Sequence, residues 1–304
     1  MSESPGRTCP LSYRYAPGAF AGPPALRAET LWIAGGLYGN RYALQALIEV
    51  YAAEPGDKAL VFNGDFHWFD AEPAEFELVD ETAQGFHAMR GNVETEIAAP
   101  ADGAGCGCAY PDWVGDATVE HSNAIIERLR QAAIASGRDL GALARLPMHL
   151  AAEVGGERIG IVHGDAGSLA GWNFSQEVLA TQEGAASAER ALVQAGVKVF
   201  ASSHTCLPVL KAFPGGRAIV NNGAAGMPNF RGERYGVATR ISTRPARNPL
   251  YATRCGGVYV EAMPIAYDAA AWEKRFLQLW PAGSDAHQSY IERIRNGPEF
   301  GLAA

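Results

Sequence analysis

The sequence ALVFNGDFH occupies residues 59–67 and predicts the centre of the fold. Its apolar run has the length of a buried strand. The run ends in Asn-Gly-Asp, which places Asp65 at the carboxyl end of that strand. Open α/β sheets bind their ligands at this edge. Asp65 is therefore the first candidate functional residue.

Three later stretches repeat this layout, in which a short apolar run and a glycine or serine precede a side chain that can bind a metal. They are MRGNVE at residues 89–94, IGIVHGD at residues 159–165 and VFASSHTC at residues 199–206. With the first stretch they supply Asp65, Asn92, His163 and His204. Carboxylate, amide and imidazole groups in this order form a candidate set of four metal ligands.

Composition limits the classes of protein that the chain represents. A length of 304 residues with 48% hydrophobic content is sufficient for one large domain with a substantial core. The net charge of -8 argues against general nucleic-acid binding, which requires clustered Lys and Arg. No apolar run approaches the roughly 18 residues of a membrane span, and the first 30 residues do not resemble a secretion signal. We expect a cytoplasmic protein that has no membrane association.

Cysteine usage supports this expectation. The five cysteines are odd in number and widely spread, which is not typical of a disulfide framework. We therefore expect free thiols or metal ligands.

The order of predicted elements indicates the architecture. A strand at residues 31–34, a glycine turn, an amphipathic helix around residues 44–51 and the strand before Asp65 form a βαβ unit. Strands are predicted at residues 217–221, 236–242 and 257–264 and are expected to pair antiparallel. This pattern predicts an α/β fold with two sheets in four layers. We expect residues 1–30 to be an irregular extension packed on the domain, and residues 31–304 to form a single domain.

The ordered series of Gly64-Asp65, Gly91-Asn92, His163-Gly164 and Ser203-His204 resembles the calcineurin-like metallophosphoesterase superfamily, over residues 31–226. The resemblance implies a four-layer α/β/β/α fold, a β-sandwich flanked by helices, with two metals at the strand ends. It also implies that Asp65, Asn92, His163 and His204 bind the second of these metals.

The sequence departs from the family pattern at the first metal site. The family's Asp-x-His turn aligns with Gly36-Leu37-Tyr38, and Cys206 stands where a final histidine is usual. Val93 replaces a histidine that often donates a proton to the leaving group. The resemblance therefore implies a degraded first site and one divalent transition metal, which would be Zn, Mn or Fe. A nucleotide-binding loop at residues 35–39 is an alternative, but it lacks the Gly-x-Gly-x-x-Gly spacing.

Several residues are candidates to complete the pocket. Cys106, Cys108 and Cys206 could act as soft-metal ligands or pocket thiols, and Tyr38 could bind metal or phosphate. The alternative for Cys106 and Cys108 is a loop of inert buried cysteines on the far side of the domain. Additional candidates are His67 and Asn40, expected to orient phosphate and leaving group, and the possible phosphate-binding residues Arg90, Arg231 and Arg234.

Two functions are consistent with this sequence. The first is a metal-dependent hydrolase of a small phosphate ester, either a monoester or a diester, that uses a single retained metal. The second is a catalytically silent relative that keeps the fold and one metal for binding or regulation. Loss of the first-site ligands and of the proton donor favours the second function, whereas the intact second site favours the first.

Overall fold

The computed structural model describes residues 5–301, which form twelve strands and nine α-helices. The strands are β1 (Leu26–Ala28), β2 (Thr30–Ala34), β3 (Lys58–Asn63), β4 (His87–Met89), β5 (His149–Val154), β6 (Glu157–Val162), β7 (Val199–Ser202), β8 (Pro208–Phe213), β9 (Arg217–Asn222), β10 (Gly236–Ser242), β11 (Tyr251–Cys255) and β12 (Val258–Ile265). The helices are α1 (Arg41–Ala53), α2 (Pro73–Gln84), α3 (Asn92–Ala98), α4 (Asp116–Ser136), α5 (Leu140–Arg145), α6 (Gln176–Ala180), α7 (Gln182–Ala195), α8 (Ala269–Leu279) and α9 (Asp285–Asn296).

The strands form two sheets of six. One sheet has the order β1-β5-β6-β7-β9-β8, and the other has the order β11-β12-β10-β2-β3-β4. Alternation along β2 shows how the sheets are layered. Leu31 and Ile33 belong to the apolar cluster between the sheets, whereas Trp32 and Ala34 belong to the cluster beneath the helices. The predicted four-layer α/β/β/α sandwich flanked by helices is therefore confirmed.

Parallel pairing gives both sheets a shared functional edge. Strands β2, β3 and β4 run parallel in one sheet, and β6, β7 and β9 run parallel in the other. Because parallel strands end on the same side, the residues that follow them gather at one edge of the sandwich. The side-chain amide of Asn63 donates to the carbonyl of Val162 over 3.0 Å and joins the two sheets at this edge.

The structure corrects two details of the predicted topology. Strands β10 and β12 pair antiparallel as predicted, but β9 lies in the other sheet, parallel to β7. Residues 73–84 form helix α2, although the sequence analysis predicted no helix or strand for this acidic segment. Proline is tolerated in the first turn of a helix, and Phe76, Val79 and Ala83 give α2 a buried face.

The N-terminal extension is held by its aromatic side chains, but it is not wholly irregular. Tyr13 and Phe20 are buried, each within a short 3₁₀ helix. Leu26–Ala28 then forms β1, which pairs parallel with β5. The expectation of irregular structure is wrong for these three residues, because alternating buried side chains favour a strand beside β5. Among residues 5–301 no helix is both long and apolar enough to cross a membrane.

Candidate metal centre

Four side chains from four strand ends converge at this edge. His163 Nε2 lies 3.1 Å from Asn92 Oδ1, 3.1 Å from His204 Nδ1 and 3.3 Å from a carboxylate oxygen of Asp65. Ligand atoms of Asp65, His163 and His204 all lie within 4.8 Å of one another. The four predicted metal ligands are therefore far apart in sequence but close together in the fold.

The hydrogen bonds behind these side chains fix which atoms face the centre. His163 Nδ1 lies 3.0 Å from the carbonyl of Asn63, and His204 Nε2 lies 3.0 Å from the carbonyl of Cys108. A carbonyl only accepts, so these two nitrogens carry the hydrogens. The amide nitrogen of Asn92 likewise donates to the carbonyl of Cys106 over 3.0 Å. The remaining atoms of all three side chains therefore present lone pairs toward Asp65.

This donor set fits a metal ion. When both imidazoles are neutral, the four atoms that face one another are all acceptors, and a divalent cation relieves their mutual repulsion. The carbonyls behind the two imidazoles also match the outer partners that orient metal-bound histidines. Burial and the neighbouring His163 lower the pKa of His204 to about 3, which keeps its imidazole neutral. Burial also acts to lower the pKa of His163, but the charge of Asp65 outweighs it and raises that pKa, so a metal bound here would displace a proton from His163.

The backbone around the centre is unusually constrained. In the described chain, five residues other than glycine have positive φ, and four of them surround this site: Tyr38, Asp65, Ala109 and Cys206. Such backbone costs of order 1–3 kcal/mol per residue and clusters at functional sites. Gly91 is required by close approach, since a Cβ there would lie 2.2 Å from Asp65 Oδ1.

Glu94 supports the centre from below, and the sequence analysis did not assign it a role. It is fully buried, and its carboxylate accepts hydrogen bonds from the backbone N–H groups of Asp65 and Gly91, both at 2.8 Å, and of His67 at 3.2 Å. Burial, followed by the charge of Asp65, raises the pKa of Glu94. Its position two residues after Asn92 was the available sequence signal.

Tyr38 and Cys206 contact each other beside the centre. The hydroxyl of Tyr38 lies 2.6 Å from the sulfur of Cys206. The family resemblance assigns both positions to ligands of the first metal. In this chain the two positions carry a tyrosine and a cysteine that contact each other.

The cysteine-rich loop folds over the centre. Cys108 and Cys206 line the same cavity, together with Asp65, Asn92 and His204. Cys106 is fully buried behind them and lies outside that lining. The loop therefore packs at the centre, not on the far side of the domain.

Two residues predicted to orient the substrate have structural roles instead. Asn40 is the N-cap of α1: its side-chain oxygen accepts from the N–H groups of Tyr42 and Ala43, and its amide donates to the carbonyl of Gly226. His67 turns into the core, where it stacks on Phe76 with ring centroids 4.0 Å apart. Neither residue lines the cavity that Cys108 and Cys206 share. The contacts described above hold both side chains within the fold.

The histidine at position 67 belongs to a buried charge network. Its Nδ1 lies 2.5 Å from a carboxylate oxygen of Asp70. Burial lowers the pKa of His67, but the negative charge of Asp70 outweighs it and raises the pKa to about 9. Strand β3 ends at Asn63, so His67 lies beyond the strand. The alternation of side chains along β3 therefore does not direct His67 toward the metal centre.

The three arginines predicted to bind phosphate contact other groups in this structure. Arg90 donates to the carbonyl of Ala144, Arg231 pairs with Glu299, and Arg234 pairs with Glu273 over 2.7 Å. None of them lines the cavity. The partners of these side chains are near in the fold but distant in sequence.

The cavity over the centre is small and largely aromatic. Its volume is about 50 Å³, which is room for a few waters or a phosphoryl group but far less than a typical ligand pocket. Its walls include residues that the sequence analysis missed, namely Trp68, Tyr110, Trp172 and Tyr290. They come from four distant segments, and no sequence motif marks them.

Solved structures share this architecture. The hypothetical protein PH1004 from Pyrococcus horikoshii OT3 is 16% identical, with a TM-score of 0.62 over 90% of this chain and 99% of that chain. A metallophosphoesterase from Sphaerobacter thermophilus is 17% identical, with a TM-score of 0.54 over 88% of this chain and 100% of that chain. No family model and no curated protein matches the sequence. The fold that the motifs implied is therefore confirmed: this chain has the metallophosphoesterase fold.

Proposed function

We propose that the protein is a metal-dependent hydrolase of small phosphate esters that uses one metal ion. Asp65, Asn92, His163 and His204 would hold a divalent transition metal, with Zn, Mn and Fe as candidates by ligand type. The observation that carries the proposal is the convergence of four potential metal ligands, two of which are imidazoles whose outer nitrogens are engaged by backbone carbonyls. A bound metal would supply Lewis-acid chemistry, which polarises a phosphoryl oxygen and activates water.

The protein's own residues would orient the reaction and limit access of bulk water. Glu94 fixes the backbone of Asp65, and the carbonyls of Asn63 and Cys108 fix the two imidazole rings. In the reaction, a water oxygen forms a bond to phosphorus and the bond to the ester oxygen breaks. The water gives up a proton, and the departing oxygen takes one from solvent. Preorganised groups in a small, largely apolar cavity favour such a transfer.

The proposed setting agrees with the charge of the chain. A net charge of -8 disfavours a nucleic-acid partner, so we propose a small phosphorylated substrate and the cytoplasm as the location. The second candidate function is a silent protein that binds metal without turnover. The Tyr38 hydroxyl within 2.6 Å of Cys206 favours it, because the family resemblance implies metal ligands at both positions.

The first experiment measures metal content and hydrolysis in the same samples. After loading with zinc, manganese or iron and removal of free ion, elemental analysis is expected to give one metal per chain. The loaded protein should hydrolyse bis(p-nitrophenyl) phosphate or p-nitrophenyl phosphate. His163→Ala should lose both metal and turnover. The matched control His87→Ala, at an exposed histidine in β4, should lose neither.

Three outcomes separate the two functions. Metal retained in His163→Ala at the level of the control would contradict the metal centre. One metal per chain without hydrolysis of either ester would support the silent binding protein. Two tightly bound metals per chain would contradict the single-metal proposal.

A further inference from the structure

The walls of the cavity offer aromatic surface instead of polar groups. Trp172 donates its indole N–H to the carbonyl of Cys108 over 3.0 Å, Tyr110 pairs with Ser122 over 3.0 Å, and Tyr38 contacts Cys206. These bonds engage the polar atom of each ring with the protein. The rings are therefore held in place and present carbon surface to whatever enters.

Most of any ester must lie outside the enclosed space. A volume of about 50 Å³ holds a phosphoryl group but not the groups attached to it. The aromatic surface continues outward from the metal centre. Trp172 packs edge-to-face against His204 with centroids 5.4 Å apart, and Trp113 packs edge-to-face against Trp172 at 6.4 Å. Trp113 thus lies next to the cavity wall.

Trp113 is exposed and firmly positioned. It is 59% exposed, whereas Trp172 is partly buried. Its loop is held by Arg7, which donates to the carbonyls of Pro111 and Val114 over 2.9 and 2.7 Å. An indole that is fixed by its backbone but open to solvent is a preorganised surface for stacking a planar ring.

The chemistry of the lining restricts the ester further. Among the described residues that line the cavity there is no lysine or arginine, and Arg293 behind Cys206 already donates to the carbonyls of Cys206 and Pro228, so the lining itself offers a doubly charged monoester no cationic side chain. The only carboxyl and imidazole groups in the lining are those of Asp65 and His204, which belong to the metal-ligand set. No other group there has an ordinary pKa near 7 to protonate a departing oxygen. An aryl oxide is a better leaving group than an alkoxide and depends less on that proton.

We propose that the substrates are aryl phosphodiesters whose aromatic ring stacks on Trp113 at the mouth of the cavity. This inference rests on the proposed phosphoesterase function and names its substrate class. The phosphoryl group occupies the enclosed space, the single negative charge suits a lining without cationic side chains, and the ring contacts the exposed indole.

Calorimetric binding to the zinc-loaded protein tests the inference without requiring turnover. Diphenyl phosphate, diethyl phosphate and phenyl phosphate differ in ring and charge, so their Kd values separate the two contributions. We expect diphenyl phosphate to bind most tightly. Base–aromatic stacking data imply that Trp113→Ala weakens its binding by about 5-fold to 150-fold, and leaves diethyl phosphate unchanged. Trp113→Phe should restore most of the loss.

A control variant and two further measurements make the result decisive. Ile134→Ala removes another exposed side chain, 64% exposed on α4, and should not change any Kd. Equal affinity for diphenyl and diethyl phosphate, or tighter binding of phenyl phosphate, would overturn the inference. The inference would also be overturned if tetramethylammonium bound more tightly than diphenyl phosphate and this binding depended on Trp113. Zinc content measured in the same samples shows separately whether the proposed metal function has failed.

Discussion

Zinc is expected to stabilise the protein through the four converging acceptors, and His163→Ala is the perturbation that tests this. His163 Nε2 is within 3.3 Å of acceptor atoms of Asp65, Asn92 and His204, so it is the central donor of the set. Its replacement by alanine removes the ligand that contacts all the others. Stabilisation by zinc should then be lost, although the apo variant still folds.

The expected magnitude follows from linkage. A ligand present at about 1,000 times its Kd stabilises the folded state by about 4.1 kcal/mol. An unfolding entropy of about 2.1 cal/mol/K per residue implies roughly 0.6 kcal/mol/K for 304 residues. The melting temperature of the wild-type protein should therefore rise by about 6 °C at that zinc concentration.

Differential scanning calorimetry with and without zinc measures the shift. The control His87→Ala should keep the full increase in Tm, because His87 is exposed on β4 and does not belong to the ligand cluster. A wild-type Tm that does not change with zinc would refute the reasoning. An equal increase in His163→Ala would refute it too, because zinc would then bind elsewhere.

Three further predictions concern stability away from the cavity, each measured by urea unfolding. Arg240→Met should cost about 3–5 kcal/mol, because it leaves the buried carboxylate of Glu261, 2.6 Å away, without its partner. Hydrogen bonds from Arg240 hold the pKa of Glu54 below its ordinary 4.5. This contribution to stability is present above that value and is lost as pH falls through the lower folded pKa. Glu54→Gln should therefore reduce the decline in the free energy of unfolding at acid pH. An unchanged decline would contradict this prediction. Asn40→Ala should cost about 0.5–2 kcal/mol through loss of the α1 cap, with zinc content unchanged, and a loss of zinc would restore a role for Asn40 at the centre.

Much of the fold was predictable from local pattern. Apolar runs of strand length placed β2, β3, β6 and β7, because a buried strand needs apolar side chains on both faces. Each run is followed at once by a glycine, a serine or a polar residue, which indicated the strand ends. Helix α2 was missed, because its buried face is formed by only a few apolar residues among acids. The sheet that contains β9 was not predictable, since pairing partners are chosen across the whole chain.

The candidate site divides in the same way. The four motif residues Asp65, Asn92, His163 and His204 could be named from sequence, because each follows a strand end and the carboxyl ends of parallel strands meet at one edge. The direction of the His67 side chain could not be predicted from sequence. It depends on where β3 ends, on stacking against Phe76 and on the contact with Asp70. The partners of Arg90, Arg231 and Arg234 could not be predicted for a similar reason, because these carbonyl and carboxylate groups are near only in the fold.

The sequence by itself determined which residues follow the strands and therefore which side chains meet at the functional edge. Only the tertiary structure decided what those side chains present to one another. The carbonyls of Asn63 and Cys108 select the imidazole nitrogens that face the centre. Trp172 and Trp113 extend an aromatic wall from it. The physical reason is that protonation states, wall residues and cavity size depend on contacts between segments far apart in sequence, and such contacts exist only after the chain has folded.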